Sequence, residues 1–330
     1  MPLIQTKANA SAQGYGLFAS KASDGTVGIF ALGGTTTCNS TIRNKYTYAT
    51  DASTACGVGA ASTASSQGSA AGNSTRGIFA LGVTNCGRSN TRNKYTYATC
   101  TSTASGVAAA NKPSNQGSAA GNSTRGIFAL GRDDCSPLGS QGRDKYTYAC
   151  CTSTAIGVGL ASIASRSGSA AGNSTRGIFA LGANICNTST NTRNKYTYAC
   201  DTSTASGVGT ASRASQAGSA AGNSTRGIFA LGNAQFCIAD LSNIRNKYTY
   251  STDTSTACGV GTASADSQSG AATGNSTRGI FALGSIRTGK TAVRNKYTYA
   301  CCTSTACGVA SASAASREGS GASPIACVNI

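Results

Sequence analysis

The chain repeats itself six times, and that repetition limits the fold more than any other property of the sequence. The cassette Gly-Ile-Phe-Ala-Leu-Gly begins at Gly28, Gly77, Gly126, Gly177, Gly227 and Gly279. Arg-Asn-Lys-Tyr-Thr-Tyr begins at Arg43, Arg92, Arg143, Arg193, Arg245 and Arg294, with Asp144 in place of Asn in the third copy. Ser-Thr-Ala-x-Gly-Val begins at Ser53, Ser102, Ser153, Ser203, Ser255 and Ser304. Gly-Ser-Ala-Ala-Gly-Asn-Ser-Thr-Arg precedes the first cassette from Gly68, Gly117, Gly168 and Gly218, with a variant from Gly270.

Each unit carries four strand candidates separated by turn chemistry. In the second copy these are Ser69–Ala71, Gly77–Leu81, Lys94–Tyr97 and Thr103–Val107, with a tight turn over Gly72-Asn73-Ser74-Thr75. Tyr95 and Tyr97 fall on one face of their strand, Lys94 and Thr96 on the other. Four strands in about 50 residues is the size of a propeller blade. The expected fold is therefore all-β: a six-bladed β-propeller with four antiparallel strands per blade. Residues 1–13 are expected to form an N-terminal arm and 14–330 a single domain. Either Gly14–Ala19 or a strand within 319–330 would pair the chain ends and complete the ring. Strict apolar cassettes at regular intervals argue against the disorder that so many Gly, Ser, Ala and Thr residues could otherwise indicate.

The order of elements resembles the kelch repeat: a small-residue strand, an apolar strand ending in Gly, a variable loop, a Tyr-bearing strand and a fourth strand. The kelch double Gly survives only at Gly33-Gly34, and the kelch Trp position falls on Ala55, Ala104, Ala155, Ala205, Ala257 and Ala306. The resemblance implies closure of the ring by the C-terminal segment. The GNSTRGIFALG and RNKYTY units also resemble tandem-repeat proteins of bacteriophage virions, tail-fibre-like proteins among them, and of environmental bacteria. That resemblance implies a virion or tail-associated protein, made in the host cytoplasm without a signal peptide. Its partner would be a host-surface glycan or another virion protein. The alternatives are a cytoplasmic, kelch-like protein–protein interaction module and, more weakly, a polyanion or nucleic-acid binder. Homo-oligomerisation is compatible with either setting.

No catalytic site, metal site or cofactor is expected. The chain has no His, which removes the commonest general base and metal ligand. Six-bladed sialidases use arginines, a Tyr and acidic partners, but here Arg and Tyr recur in every unit and the sole Glu is Glu318. The 15 Cys interchange with Ser, Thr, Asp and Ile between copies, and read as small space-fillers and mostly free thiols. The balance of 27 Lys+Arg against 10 Asp+Glu gives +17, but the repeat generates most of it and spreads it evenly, so nucleic acid is not the expected partner. No apolar run is long enough to insert in a membrane. Each Asn-Ser-Thr sequon, from Asn73 to Asn275, reads as turn chemistry.

Between copies the strands barely change, whereas the loop joining strands two and three varies in sequence and length. It spans Gly34–Ile42, Val83–Thr91, Arg132–Gly142, Ala183–Thr192, Asn233–Ile244 and Ser285–Val293. Loops on a rigid scaffold carry function. These six are expected on one face, beside the connections from strand four to strand one. The candidate binding residues on that face are Thr36, Asn39, Asn85, Arg88, Asp133, Asp134, Asn184, Asn187, Gln235, Asp240, Arg287 and Lys290.

Overall fold

A computed structural model describes residues 25–36, 38–136, 138–234 and 240–323. Among them no α-helix occurs, so none could cross a membrane, and the backbone forms six four-stranded antiparallel sheets. One repeat makes most of one sheet. In the second sheet the strands Ser69–Gly72, Arg76–Ala80, Arg92–Thr96 and Thr101–Thr103 pair in that order. The first sheet departs from this pattern. Its own strands are Val27–Ala31, Arg43–Thr47 and Ala52–Thr54, and its first strand is Ser320–Ala322 from the far end of the chain, with Ala322 opposite Ile29. The proposed arm and Gly14–Ala19 lie outside the described residues.

Local chemistry sets each strand boundary. In the first hairpin Asn73 Oδ1 accepts the backbone N–H groups of Thr75 and Arg76, both at 3.0 Å, which is an Asx-type turn. The Asn73 amide also donates to the Ser123 carbonyl of the next repeat at 3.0 Å, so the sequon Asn is a turn residue and a tie between sheets. The fourth strand is Thr101–Thr103, where the sequence pattern placed it at Thr103–Val107. The turn lies earlier, at Tyr97–Cys100, and Gly106 adopts φ 68°, which no strand tolerates.

Two chemically different faces result. Cross-strand pairing places Gly77, Phe79, Asn93 and Tyr95 on one face of the second sheet, and Ile78, Ala71, Arg92 and Lys94 on the other. Ile78 and Phe79 are both fully buried, so the sheet is covered on both sides. The aromatic face packs on Ile29 and Ala322 of the first sheet, and the aliphatic face (Ala71, Ile78) packs on Phe128, Tyr146 and Tyr148 of the third. The same unlike-face contact recurs from third to fourth, fourth to fifth and fifth to sixth. It recurs once more where Ile280 and Ala271 of the sixth sheet meet Phe30, Tyr46 and Tyr48 of the first. Burying one such Phe or Ile side chain contributes ~1.5–3 kcal/mol. Glycine is required at the inner end: a Cβ on Gly77 would lie 3.0 Å from both the Tyr97 hydroxyl and the Ala322 methyl.

An arginine latches every one of these contacts. The Arg43 guanidinium lies 4.6 Å above the Phe79 ring of the next sheet. It donates to Asn93 Oδ1 at 3.2 Å, to the Gly59 carbonyl at 3.2 Å and to the Ser102 hydroxyl. Arg92, Arg143, Arg193, Arg245 and Arg294 repeat the arrangement. The last stacks 4.5 Å over Phe30 of the first sheet and bonds Asn44 at 3.1 Å and Ser53 at 2.6 Å. All six are 1% exposed, so one of the two charges repeated in every unit is interior. Burial lowers the Arg43 pKa to about 10, which leaves it protonated at neutral pH. Only Arg92 meets a carboxylate in this position, Asp144, at 3.0 Å.

A second set of bonds links all six repeats at the loop end. Gln67, Gln116, Ser167, Ala217, Ser269 and Glu318 each precede a first strand, and each has φ between 53° and 59°. The N–H of Gln116 donates to the Gln67 carbonyl, Ser167 to Gln116, Ala217 to Ser167, Ser269 to Ala217, Glu318 to Ser269 and Gln67 to Glu318. These six bonds return to their starting residue, with lengths of 2.6–2.9 Å. The left-handed backbone is what turns each N–H toward its neighbour.

Candidate functional site

The loops between strands two and three lie at one end of their sheets, beside the connections that lead into the first strands. Val83–Thr84 pairs with Ser65–Ser66, Arg132–Asp133 with Ser114–Asn115, and Ala183–Asn184 with Ser165–Arg166. Neighbouring units are tied by bridges such as Ser40 to Ser65, Ser89 to Ser114 and Thr291 to Ser316. The backbone therefore repeats here, while the side chains do not. One position holds Gly34, Val83, Arg132, Ala183, Asn233 and Ser285. Its partner position holds Arg317, Ser66, Asn115, Arg166, Gln216 and Gln268.

Four of the twelve candidate residues come together, across the ends of the second, third and fourth sheets. Arg88 donates from Nε to Asn115 Oδ1 and from Nη1 to Asp134 Oδ1, both at 3.0 Å. Asp133 is 1% exposed; its Oδ1 accepts the Cys135 N–H at 2.9 Å and its Oδ2 lies 4.0 Å from Lys112 Nζ. Asn187, at φ 62°, accepts from Arg166 Nη2, and Arg166 Nη1 donates to the Leu138 carbonyl. Three residues absent from the sequence-based set complete the cluster: Arg132, Arg166 and Asn115. Arg132 and Arg166 have pKa values lowered first by burial, then by a neighbouring guanidinium, Arg88 for Arg132 and Arg132 for Arg166. Arg88 reaches Asn115, the ladder partner of Arg132, and Arg166 reaches the Leu138 carbonyl in the loop that follows Arg132, so three arginines gather over three adjacent sheet ends.

The other eight candidates are dispersed or serve the loops themselves. Thr36 and Asn85 sit exposed at loop tips. Asn39 Nδ2 lies 3.5 Å from the Val83 carbonyl, and Asn184 Oδ1 accepts the Cys186 and Thr188 N–H groups at 2.9 and 3.1 Å. Arg287 grips Asp266 through Nε at 3.3 Å and Nη2 at 3.0 Å, and Asp240 faces Arg213 at 3.7 Å. Lys290 donates to the Thr35 carbonyl, tying the sixth loop to the first. Gln235 lies outside the described residues. No protein-family model matches this chain, and no similar curated protein is found.

Buried polar atoms without a hydrogen-bond partner fall into two groups. One follows the repeat: latch-arginine Nε atoms and tyrosine hydroxyls. The other breaks it, and includes Gln116 Oε1, Arg132 Nε and both amide atoms of Gln216, all at the variable end. Gln116 and Gln216 adjoin the hydrogen-bond cycle and the paired position that precedes it. A varied column in the connection to strand one was the only sequence signal for Asn115, Arg166 and Gln216, and it lay outside the loops that vary most. Elsewhere, among the described residues, no three His, Cys, Asp or Glu side chains gather as a metal site would require.

The opposite end is built from repeated groups. Asp51, Asp201 and Asp253 accept from Tyr46, Tyr196 and Tyr248 at 2.8–2.9 Å. Asp201 also holds Arg125 at 3.0 Å and Lys145 at 2.5 Å. In the other three sheets the same left-handed position carries Cys100, Cys151 or Cys302. Between the ends, the first strands line an open cavity of about 140 Å³ with Ala and Gly, joined by Asn and Ser residues such as Asn173, Ser224 and Asn275 from the adjoining turns.

Proposed function

We propose that the six sheets are the blades of a closed six-bladed β-propeller, and that the propeller is a non-catalytic scaffold presenting its variable end to a partner. The cyclic order of the latch arginines and the six-membered hydrogen-bond cycle support closure, since each takes the sixth repeat back to the first. The functional part rests on one observation. A backbone that is the same in every repeat carries side chains at the loop end that are not, and several of these are buried polar groups the fold itself leaves unsatisfied.

The partner we favour is a host-surface glycan, and the setting a phage virion or tail, in keeping with the resemblance of the repeat to virion-associated tandem repeats. Glycans are read by short polar and charged side chains on rigid surfaces, and the Asn, Gln, Arg and Asp residues of this end have that character. A polyanion reading through the repeated arginines is weakened because the six latch arginines are interior and hydrogen-bonded.

The test compares the intact protein with a variant in which all six strand-two-to-three loops are replaced by Gly-Ser, on a glycan array and on host cells. We expect binding by the intact protein and its loss in the variant, with the β circular dichroism signal kept. Absence of binding by both would make a structural part of an assembly the better reading.

A further inference from the structure

Resting on that reading, we infer that Arg132, flanked by Arg88 and Arg166, forms the anion subsite of the variable end, and that the ligand is a sugar bearing a carboxylate. The fold does not need these arginines. The positions of Arg132 and Arg166 are filled by Val83 and Ser66 in the second sheet, and the same backbone ladder forms. Nor does the cluster neutralise itself. Asp134 is taken by Arg88. Asp133 spends one oxygen on the Cys135 N–H and turns the other toward Lys112. The Arg132 side chain has no hydrogen-bond or carboxylate partner among the described residues, and its Nε is fully buried.

Holding a partly buried guanidinium between two others is unfavourable unless an anion joins them. The two outer arginines are immobilised, Arg88 by Asn115 and Asp134, Arg166 by Asn187 and the Leu138 carbonyl. The central one is therefore the free fork, and a guanidinium fork matches a planar carboxylate through two parallel hydrogen bonds. Next to Asn115, the ladder partner of Arg132, the unpartnered Gln116 Oε1 offers a neutral acceptor. That pairing of a cationic fork with a neutral acceptor suits a ring that carries both a carboxylate and hydroxyls. The Leu138 side chain, 53% exposed, supplies an apolar patch for the C–H face of such a ring.

The experiment is a titration of the full chain by saturation-transfer NMR and calorimetry. The probes are N-acetylneuraminic acid and a glucuronate disaccharide, each beside its methyl ester. The free acid of at least one probe should bind at least 10-fold more tightly than the ester. Arg132→Gln should abolish that difference while leaving the melting temperature unchanged or slightly higher, because a like-charge contact is removed. Equal binding of acid and ester, an unchanged acid preference in Arg132→Gln, or no binding of either acid would overturn the inference. So would a fall of several degrees in the melting temperature of Arg132→Gln, which would make the residue structural. Neutral glycans that bind through the loops but ignore Arg132→Gln would overturn this inference alone and leave the variable-end reading standing.

Discussion

Six equivalent left-handed residues, Asp51, Cys100, Cys151, Asp201, Asp253 and Cys302, offer an internal mutation series at the residue scale. Where Asp occurs it gathers three donors; Asp201 takes Arg125, Lys145 and Tyr196. Burial alone would raise the Asp201 pKa, but the bonds from Lys145 and Tyr196 and the charges of Lys145 and Arg125 outweigh it, and the net direction is down. Cys151 keeps the arginine, Arg76 Nη1, 3.7 Å from its Sγ, and Lys94 holds the register position of Lys145. Cys151→Asp should therefore stabilise the protein by roughly 0.5–1 kcal/mol, as should Cys302→Asp beside Arg226. Asp also tolerates this backbone better than Cys does. Cys100→Asp should gain less, because Val27 stands where the arginine would be. A depressed carboxylate pKa contributes stability that is whole above the unfolded value and lost as pH falls through the folded one. The gain, read from urea midpoints, should thus hold from pH 5 to 7 and shrink progressively below about pH 4. An equal gain at pH 3 would mean that the ion pair is not its source.

At the scale of the strand, one substitution in the first-strand column shows what the others lack. The sixth sheet has Thr273 where others have Ala71, Ala120, Ala171, Ala221 or Ala322, and the Thr hydroxyl lies 3.0 Å from that of Tyr48. Tyr198, facing Ala120, is buried with its hydroxyl unpartnered. Ala120→Thr should satisfy it and stabilise the chain by about 0.5–1 kcal/mol. Space exists for the added methyl, because Gly177 faces Ala120 as Gly28 faces Thr273. An unchanged or lower chemical denaturation midpoint would show that water already serves that hydroxyl. The same scale explains which elements could be read from sequence. Gly-Ile-Phe and Lys-Tyr-Thr alternate, so period-two reasoning found them. Thr-Ser-Thr carries no alternation and lies between a left-handed residue and a glycine turn, and only its pairing, Ser102 opposite Tyr95, marks it as a strand.

For the whole molecule, the sensitive point is the first sheet, which borrows Ser320–Ala322. Ala322 is 4% exposed against Phe79 and Tyr95. A chain ending at Glu318 keeps the hydrogen-bond cycle but loses that strand, and should lose several kcal/mol of stability in one cooperative transition. An unchanged thermal midpoint would show that the sheets stand independently. The repeat cassettes, by their period and alternation, determined that this chain is all-β and built of six like units, because those properties are local and identical in every copy. They also marked the loops as the place where copies differ. Tertiary structure alone decided that the arginines of the third strands are interior latches, because a buried and a surface arginine read alike in a sequence. It alone gathered Arg88, Arg132 and Arg166, since they come from three repeats and meet only when unlike sheet faces stack.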